Sequence, residues 1–408
     1  MSIDFSARLK LKNVIAQIDH LLSAETPFEN VPLALRQLRH VLQQFETRLE
    51  KAVKLKDADG IKAVAENINQ KILDILPILG FIVRSTNVRN AFELLEPLNS
   101  ISVALLGSRS RLMISSEWDY IPFAYPIGIE DLRNFIFIGL PSSEAANLLI
   151  APLAGHEMGH AVWRLKNIDG AVSTTLEYHV ENQFEANESR YAQYNQRYKG
   201  KDDLLSREEM LESIAASTTY AAHHAEEYFC DLIGLALFGQ SYLRAFAYIL
   251  APGMGGRRSP KYPAQFDRAE VLMKYAVKLG VPAPADFSSQ FTGSSSSIGI
   301  SFELEMAENA VRKIIETLWD QANKIISDAQ IPRISLSTAS QIYGRFRSGA
   351  PASIPCSLGD IVNAAWSRFD EISSEGESFE KQAERVEQLN EMSLKTAEAL
   401  EYRQRLGK

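Results

Sequence analysis

Residues 156–160 read His-Glu-Met-Gly-His, and that spacing limits what the surrounding chain can become. Histidines four positions apart share a face in a helix, one turn above the other. Two imidazoles so placed can hold one metal ion, and Glu157 beside the first can reach a water on that ion. A catalytic zinc takes three protein ligands and leaves its fourth position to water. A distant segment must therefore fold back onto this helix to complete the site.

The flanking residues predict the helix itself. Pro152 suits a first turn, where its missing N–H is no loss. Leu153, Val162 and Trp163 would bury its other faces. Gly155 and Gly159 each lower helix propensity by about 1 kcal/mol relative to Ala, so both need a reason. Close packing of a second helix, or of substrate, against the metal-bearing face would supply it.

The chain has seven histidines, and the stretch His223-His224-Ala225-Glu226-Glu227-Tyr228-Phe229-Cys230-Asp231-Leu232-Ile233-Gly234-Leu235 is the one that could complete a site. Its apolar residues recur at helical spacing, and Glu227 and Asp231 share a face. Glu227 is the expected third ligand, with Asp231 accepting the free ring N–H of a ligand histidine. Glu226 and His223 stay open as rival ligands. Glu226 would leave Asp231 five positions away, and His223 stands one turn before Glu227. His224 reads as a solvated or packing residue. Trp163 and Lys166 occupy places where the longer motif H-E-x-x-H-x-x-G-x-x-H carries Gly and His, which excludes that class.

The two stretches resemble the gluzincin (HExxH…ExxxD) zinc metallopeptidases, and most closely the soluble relatives of the CAAX-type zinc proteases. In that family a glutamate in an E-x-x-x-D helix completes the site begun by H-E-x-x-H. The resemblance covers roughly residues 130–275. It implies one Zn2+ per chain held by His156, His160 and Glu227, with Asp231 behind a ligand histidine. It implies a soluble zinc-dependent metallopeptidase acting on peptides or unfolded protein segments, in which Glu157 is the general base that takes a proton from the metal-activated water. A Tyr or Arg commonly shares in stabilising the oxyanion, which makes Tyr262 and Arg268 candidates and Tyr228 a weaker one. The His-Pro segment that often follows in the family has no histidine here, where the chain reads Ser259-Pro260-Lys261-Tyr262-Pro263. The resemblance also implies a small sheet ahead of the active-site helix, with an edge strand that pairs with extended substrate. Arg111–Ser116 and Asn134–Leu140 are the runs fitted to be strands. A second reading is a catalytically inactive helical interaction protein that retains a structural metal site. A site closed by four protein ligands would favour it, and an intact Glu157 favours the enzyme.

The expected fold is mainly α with a small β-sheet (α+β), a zincin-like metallopeptidase core flanked by helical regions. Residues 1–100 read as a helical N-terminal region, 101–280 as the catalytic domain, 281–299 as a loop or linker and 300–408 as a helical C-terminal region. In the first, Leu11, Val14, Ile18 and Leu22 trace one apolar face, Leu35, Leu38, Leu42 and Leu49 a second, and Ile61, Ile68, Ile72 and Ile75 a third. Pro27 and Pro32 separate the first two helices, and Asp57–Gly60 separates the second from the third. The linker is rich in Pro, Ser and Gly and includes the run Ser294–Ser297. Glu177, Glu181, Glu185 and Glu188 form a row best read as a solvated helix face. Helical patterns follow at Phe302–Ser327, Ser357–Ile372 and Ser378–Leu406, and the last could dock a protein partner. Cys356 reads as a buried cysteine or, as a thiolate, a cap on the zinc.

Composition closes off other classes. Lys and Arg number 43 against 51 Asp and Glu, a formal net charge of −8, which disfavours nonspecific nucleic-acid binding. Two cysteines imply no disulfide framework. No signal-like start and no transmembrane-length apolar run are present, so a cytoplasmic protein without a transmembrane segment is expected.

Overall fold

A computed structural model describes residues 3–26, 28–86, 92–125, 132–200, 203–251, 258–284, 287–291 and 301–406. Pro27, Ser294–Ser297 and most of the expected linker lie outside the described residues. Among the described residues the fold is mainly helical with one small three-stranded sheet, in line with the expected α-rich α+β class. The chain divides into two compact units, residues 1–95 with 108–145, and residues 96–107 with 146–408.

In the first unit, α1 (Ile3–Ser23), α2 (Asn30–Lys54) and α3 (Ala58–Ser85) pack together. Their apolar stripes meet in a core that includes Leu11, Ile18, Leu35, Leu38, Leu42, Ile68 and Ile75. Pro32 does not separate helices. It lies in the first turn of α2, where backbone N–H groups have no intrahelical acceptor and proline costs little. Asp57 caps α3 by accepting a hydrogen bond from the Gly60 N–H. The sheet has the order β1-β3-β2, with β1 (Arg111–Glu117) parallel to β3 (Phe135–Pro141) and β2 (Phe123–Ala124) antiparallel to it. Phe135 and Phe137 of β3 join the helical core, so the sheet uses one face as the lid of that core. Glu117, at the end of β1, accepts hydrogen bonds from Arg84 (2.8 Å) and Ser115 (2.8 Å).

The second unit holds α4 (Leu95–Leu106, from its second residue), α5 (Leu153–Leu165), α6 (Ile168–Ala186), α7 (Glu188–Tyr194) and α8 (Leu204–Phe238). It continues with α9 (Gln240–Leu250), α10 (Gln265–Lys278), α11 (Phe302–Asp328), α12 (Leu336–Arg347), α13 (Leu358–Ser374) and α14 (Phe379–Leu406). Its axis is α8, capped by Asp203 and ended by Gly239 at a φ of 56°. Ala225, Phe229, Cys230, Leu232, Ile233 and Leu235 are all fully buried, because α5, α6, α10 and α11 surround this helix. The C-terminal stretch of α8, from about residue 224, is buried on every side, so any charge on it must be paired. Glu177, Glu181 and Glu185 are exposed on α6, a solvated face. Among the described residues no helix is long and apolar enough to cross a membrane.

Candidate metal centre

The histidine pair lies on α5, with Pro152 at the cap and Leu153, Val162 and Trp163 buried around it. Its glycines are there because α8 comes very close. A Cβ on Gly159 would stand 2.7 Å from the Cys230 Cα, and one on Gly155 3.2 Å from the Gly234 Cα. Gly155 facing Gly234 and Gly159 facing Cys230 run in opposite senses, so the two helices cross antiparallel. Gly159→Ala is expected to lower stability by about 1–3 kcal/mol, since the added methyl meets backbone that cannot turn aside. Gly344→Ala in α12, with nothing within 4 Å of the new methyl, should instead stabilise by about 0.4–1 kcal/mol. Urea unfolding of the metal-free chain measures both, and two equal small effects would contradict the tight crossing.

This crossing sets two imidazoles against a row of carboxylates. The rings of His156 and His160 lie 5.1 Å apart, nearly perpendicular at 82°. His156 Nδ1 is 2.9 Å from Asp231 Oδ1, and His160 Nδ1 is 2.8 Å from Glu226 Oε1. A carboxylate only accepts, so each Nδ1 carries the proton and donates it. The Nε2 atoms turn instead to Glu227, at 3.5 Å from Oε2 for His156 and 3.8 Å from Oε1 for His160. Ligand atoms sharing one tetrahedral zinc stand about 3.3–3.5 Å apart, given bonds of about 2.0–2.2 Å. Glu227 faces the two Nε2 atoms with different oxygens, Oε2 near the tetrahedral spacing from His156 and Oε1 a little beyond it from His160, and the N,N,O chemistry of the three side chains suits zinc.

Asp231 is fully buried and heavily held. Arg268 donates to both its oxygens, from Nε to Oδ2 and from Nη2 to Oδ1, each at 2.7 Å. The Tyr242 hydroxyl donates to Oδ1 at 2.7 Å, and its ring fits only because residue 234 is glycine, whose Cβ would meet that ring at 2.3 Å. Arg268 Nη1 also lies 3.3 Å from Glu227 Oε2. Burial opposes charge throughout, yet pairing overrides it. The Glu227 carboxyl is pushed down to about 2, against its burial, by His156 and Arg268. Asp231 lies below the usual carboxylate range, where Arg268 outweighs burial. His156, despite burial, is pushed up to about 10 by Asp231 and Glu227, and His160 is raised by Glu226. Protonated imidazoles thus balance the carboxylates of the metal-free site.

Cys230 belongs to the same cluster. One ligand atom each from His156, His160 and Cys230 lie within 4.8 Å of one another, a group that could hold a metal ion. Burial and the charges of Glu227 and Glu226 push its thiol well up, which keeps it protonated. Glu157 is buried beside His156, and its charge acts on both histidines. Tyr262 is 45% exposed, and burial followed by the charges of Glu227 and Glu157 raises its hydroxyl, so it borders the cluster. Arg268 sits within the cluster, committed to Asp231 and Glu227.

The remaining candidates serve the surroundings. His223 Nδ1 is 3.4 Å from the Pro260 carbonyl. His224 is fully buried, not solvated, and its Nε2–H donates to the Ser259 carbonyl at 2.8 Å. Both tie the Ser259–Tyr262 turn to α8. Cys356 is partly exposed, stands outside the histidine–cysteine group, and has its thiol pushed up to about 11 by burial and Asp360. Compared with known proteins, the chain matches no family model, no curated protein and no solved structure. Two members of the cluster carry little sequence signal. Glu226, open in the sequence as a rival ligand, could have been placed as the acceptor for His160, since a second histidine ligand also needs an acceptor for its Nδ1–H. Tyr242 could have been suspected only from Gly234, a glycine inside an otherwise apolar helix.

Proposed function

We propose that the chain is a zinc-dependent metallopeptidase of the gluzincin kind, with a zincin-like centre formed by α5 and α8. The observation that carries this reading is the orientation of the imidazoles. Both Nδ1 atoms are engaged by carboxylates, and both Nε2 atoms converge on Glu227 at 3.5 and 3.8 Å. His156, His160 and Glu227 would hold the ion, and Asp231 fixes the tautomer of His156. Bound zinc would supply Lewis acidity, lowering the pKa of water towards about 7 and polarising the substrate carbonyl. Glu157 takes the proton of the attacking water and returns it to the leaving nitrogen. Tyr262, at the border of the cluster, is the candidate donor to the developing oxyanion. Arg268 acts instead by positioning Asp231 and Glu227, because its three nitrogens are already engaged. The substrate class is peptides or unfolded protein segments.

A second reading, a structural metal site without turnover, is favoured by Cys230, which would offer a further ligand. Zinc titration by calorimetry tests the proposal and separates the two. One equivalent should bind and release protons, since His156 titrates near 10 and His160 is raised. A ligand nitrogen must shed its proton first, so affinity rises with pH up to about 10 and falls on acidification. His156→Ala should lose the metal, and Cys230→Ser should keep it. Metal lost from the Cys230→Ser chain would favour the structural site, and full uptake by His156→Ala would sink the centre altogether.

A further inference from the structure

The two histidines of the centre are held in very different ways. His156, with a side chain 10% exposed, donates to a fully buried Asp231 that Arg268 and Tyr242 also hold. His160, 26% exposed, donates to Glu226, whose side chain is itself 31% exposed. Residues five apart on a helix point about 140° away from each other. Glu226 and Asp231 therefore reach around opposite sides of α8, with Glu227 between them. One carboxylate serves each ring.

We propose that Glu226 is the positioning residue for His160, and that the His160–Glu226 pair is the arm on which metal exchanges with solvent. The proposal rests on the metallopeptidase reading and deepens it. An acceptor on Nδ1 fixes the tautomer that leaves Nε2 as the lone-pair nitrogen, and it makes that nitrogen more basic. It also stops the ring from turning about its Cβ–Cγ bond. On the His156 side the same restraint is backed by burial and by three further hydrogen-bonding atoms on Asp231, Arg268 Nε and Nη2 and the Tyr242 hydroxyl. On the His160 side Glu226 supplies it at a surface open to water. Loss of one bond there frees a ligand ring, whereas the opposite ring is caged.

The test follows metal, not turnover. Glu226→Ala is expected to bind Co(II) or zinc roughly 10–100-fold more weakly and to lose it faster to a chelator. Its Co(II) absorption spectrum should change, because the ring orientation at the ion changes. Glu226→Gln, whose amide oxygen still accepts from Nδ1, should recover much of the affinity and the parent spectrum. The melting temperature of the metal-free chain should change little in either variant, since Glu226 is half-exposed and outside the Arg268 lattice. If Glu226→Ala holds metal as tightly and releases it as slowly as the parent, the arm is wrong while the centre stands. A parent chain that binds no metal overturns both.

Discussion

Glu157→Gln is expected to lower peptide hydrolysis by roughly 10²–10⁴-fold while the chain still takes up one zinc ion. The amide keeps the size of the side chain and its place on α5, but it cannot accept the proton of the attacking water. The Nδ1 bonds that orient His156 and His160 run to Asp231 and Glu226, so the ligands should stay in place. The side chain is buried at 5% exposure, so exchanging carboxylate for amide also removes one negative charge from the cluster. Both imidazoles then lose a charge that raises their pKa, and metal competes with fewer protons. Zinc affinity should therefore hold or improve while turnover collapses. A peptide library digested by parent and variant in parallel, with zinc measured in each, gives the answer. Equal cleavage by the two chains would show that residue 157 is not the base.

Asp231→Ala should be the most damaging single substitution in the second unit for stability, costing about 3–5 kcal/mol. It removes the acceptor of two Arg268 bonds, one Tyr242 bond and the His156 Nδ1–H. Arg268 is only 9% exposed, and a guanidinium cannot give up its proton to escape that position. Arg268 then keeps only Glu227, at 3.3 Å, and the penalty is that of an under-paired buried charge more than that of a lost contact. Asp231→Leu combined with Arg268→Leu should accordingly recover much of the loss, because both charges leave together. The double variant should still bind metal poorly, with His156 no longer held. Urea unfolding of the metal-free proteins and a zinc titration read the two effects separately. A double variant as unstable as Asp231→Ala alone would refute the under-paired-charge explanation.

The parts of the fold that sequence made legible are those governed by local periodicity. The stripes of α1, α2 and α3, the runs that became β1 and β3, and the helices α11, α13 and α14 follow from spacing and capping alone. The two-residue β2 escaped, since so short a strand exists only through its pairing with β3. In the candidate metal centre, the spacing of His156 with His160 and of Glu227 with Asp231 indicates which side chains could share a face. What joins those faces did not show. Glu226 looked too far round the helix from Asp231 to belong with it. That offset is the reason it can serve His160 while Asp231 serves His156. Tyr242 comes from α9, beyond the turn at Gly239, and reaches Asp231 only through the gap left at Gly234. Of the two readings open for His224, solvated or packing, the structure gives the packing one, and its acceptor, the Ser259 carbonyl, belongs to another segment that sequence does not reveal.

The glycine-lined crossing of α5 and α8 has a kinetic corollary. Its restraints are covalent shape and internal ion pairs, so on the proposed reading the cradle would be assembled before any cation arrives. Capture then requires little further ordering of the polypeptide, and the entropic toll that slows folding-coupled metal proteins is largely absent. Uptake should run as a simple bimolecular encounter, its observed rate linear in free zinc with no plateau from a conformational gate.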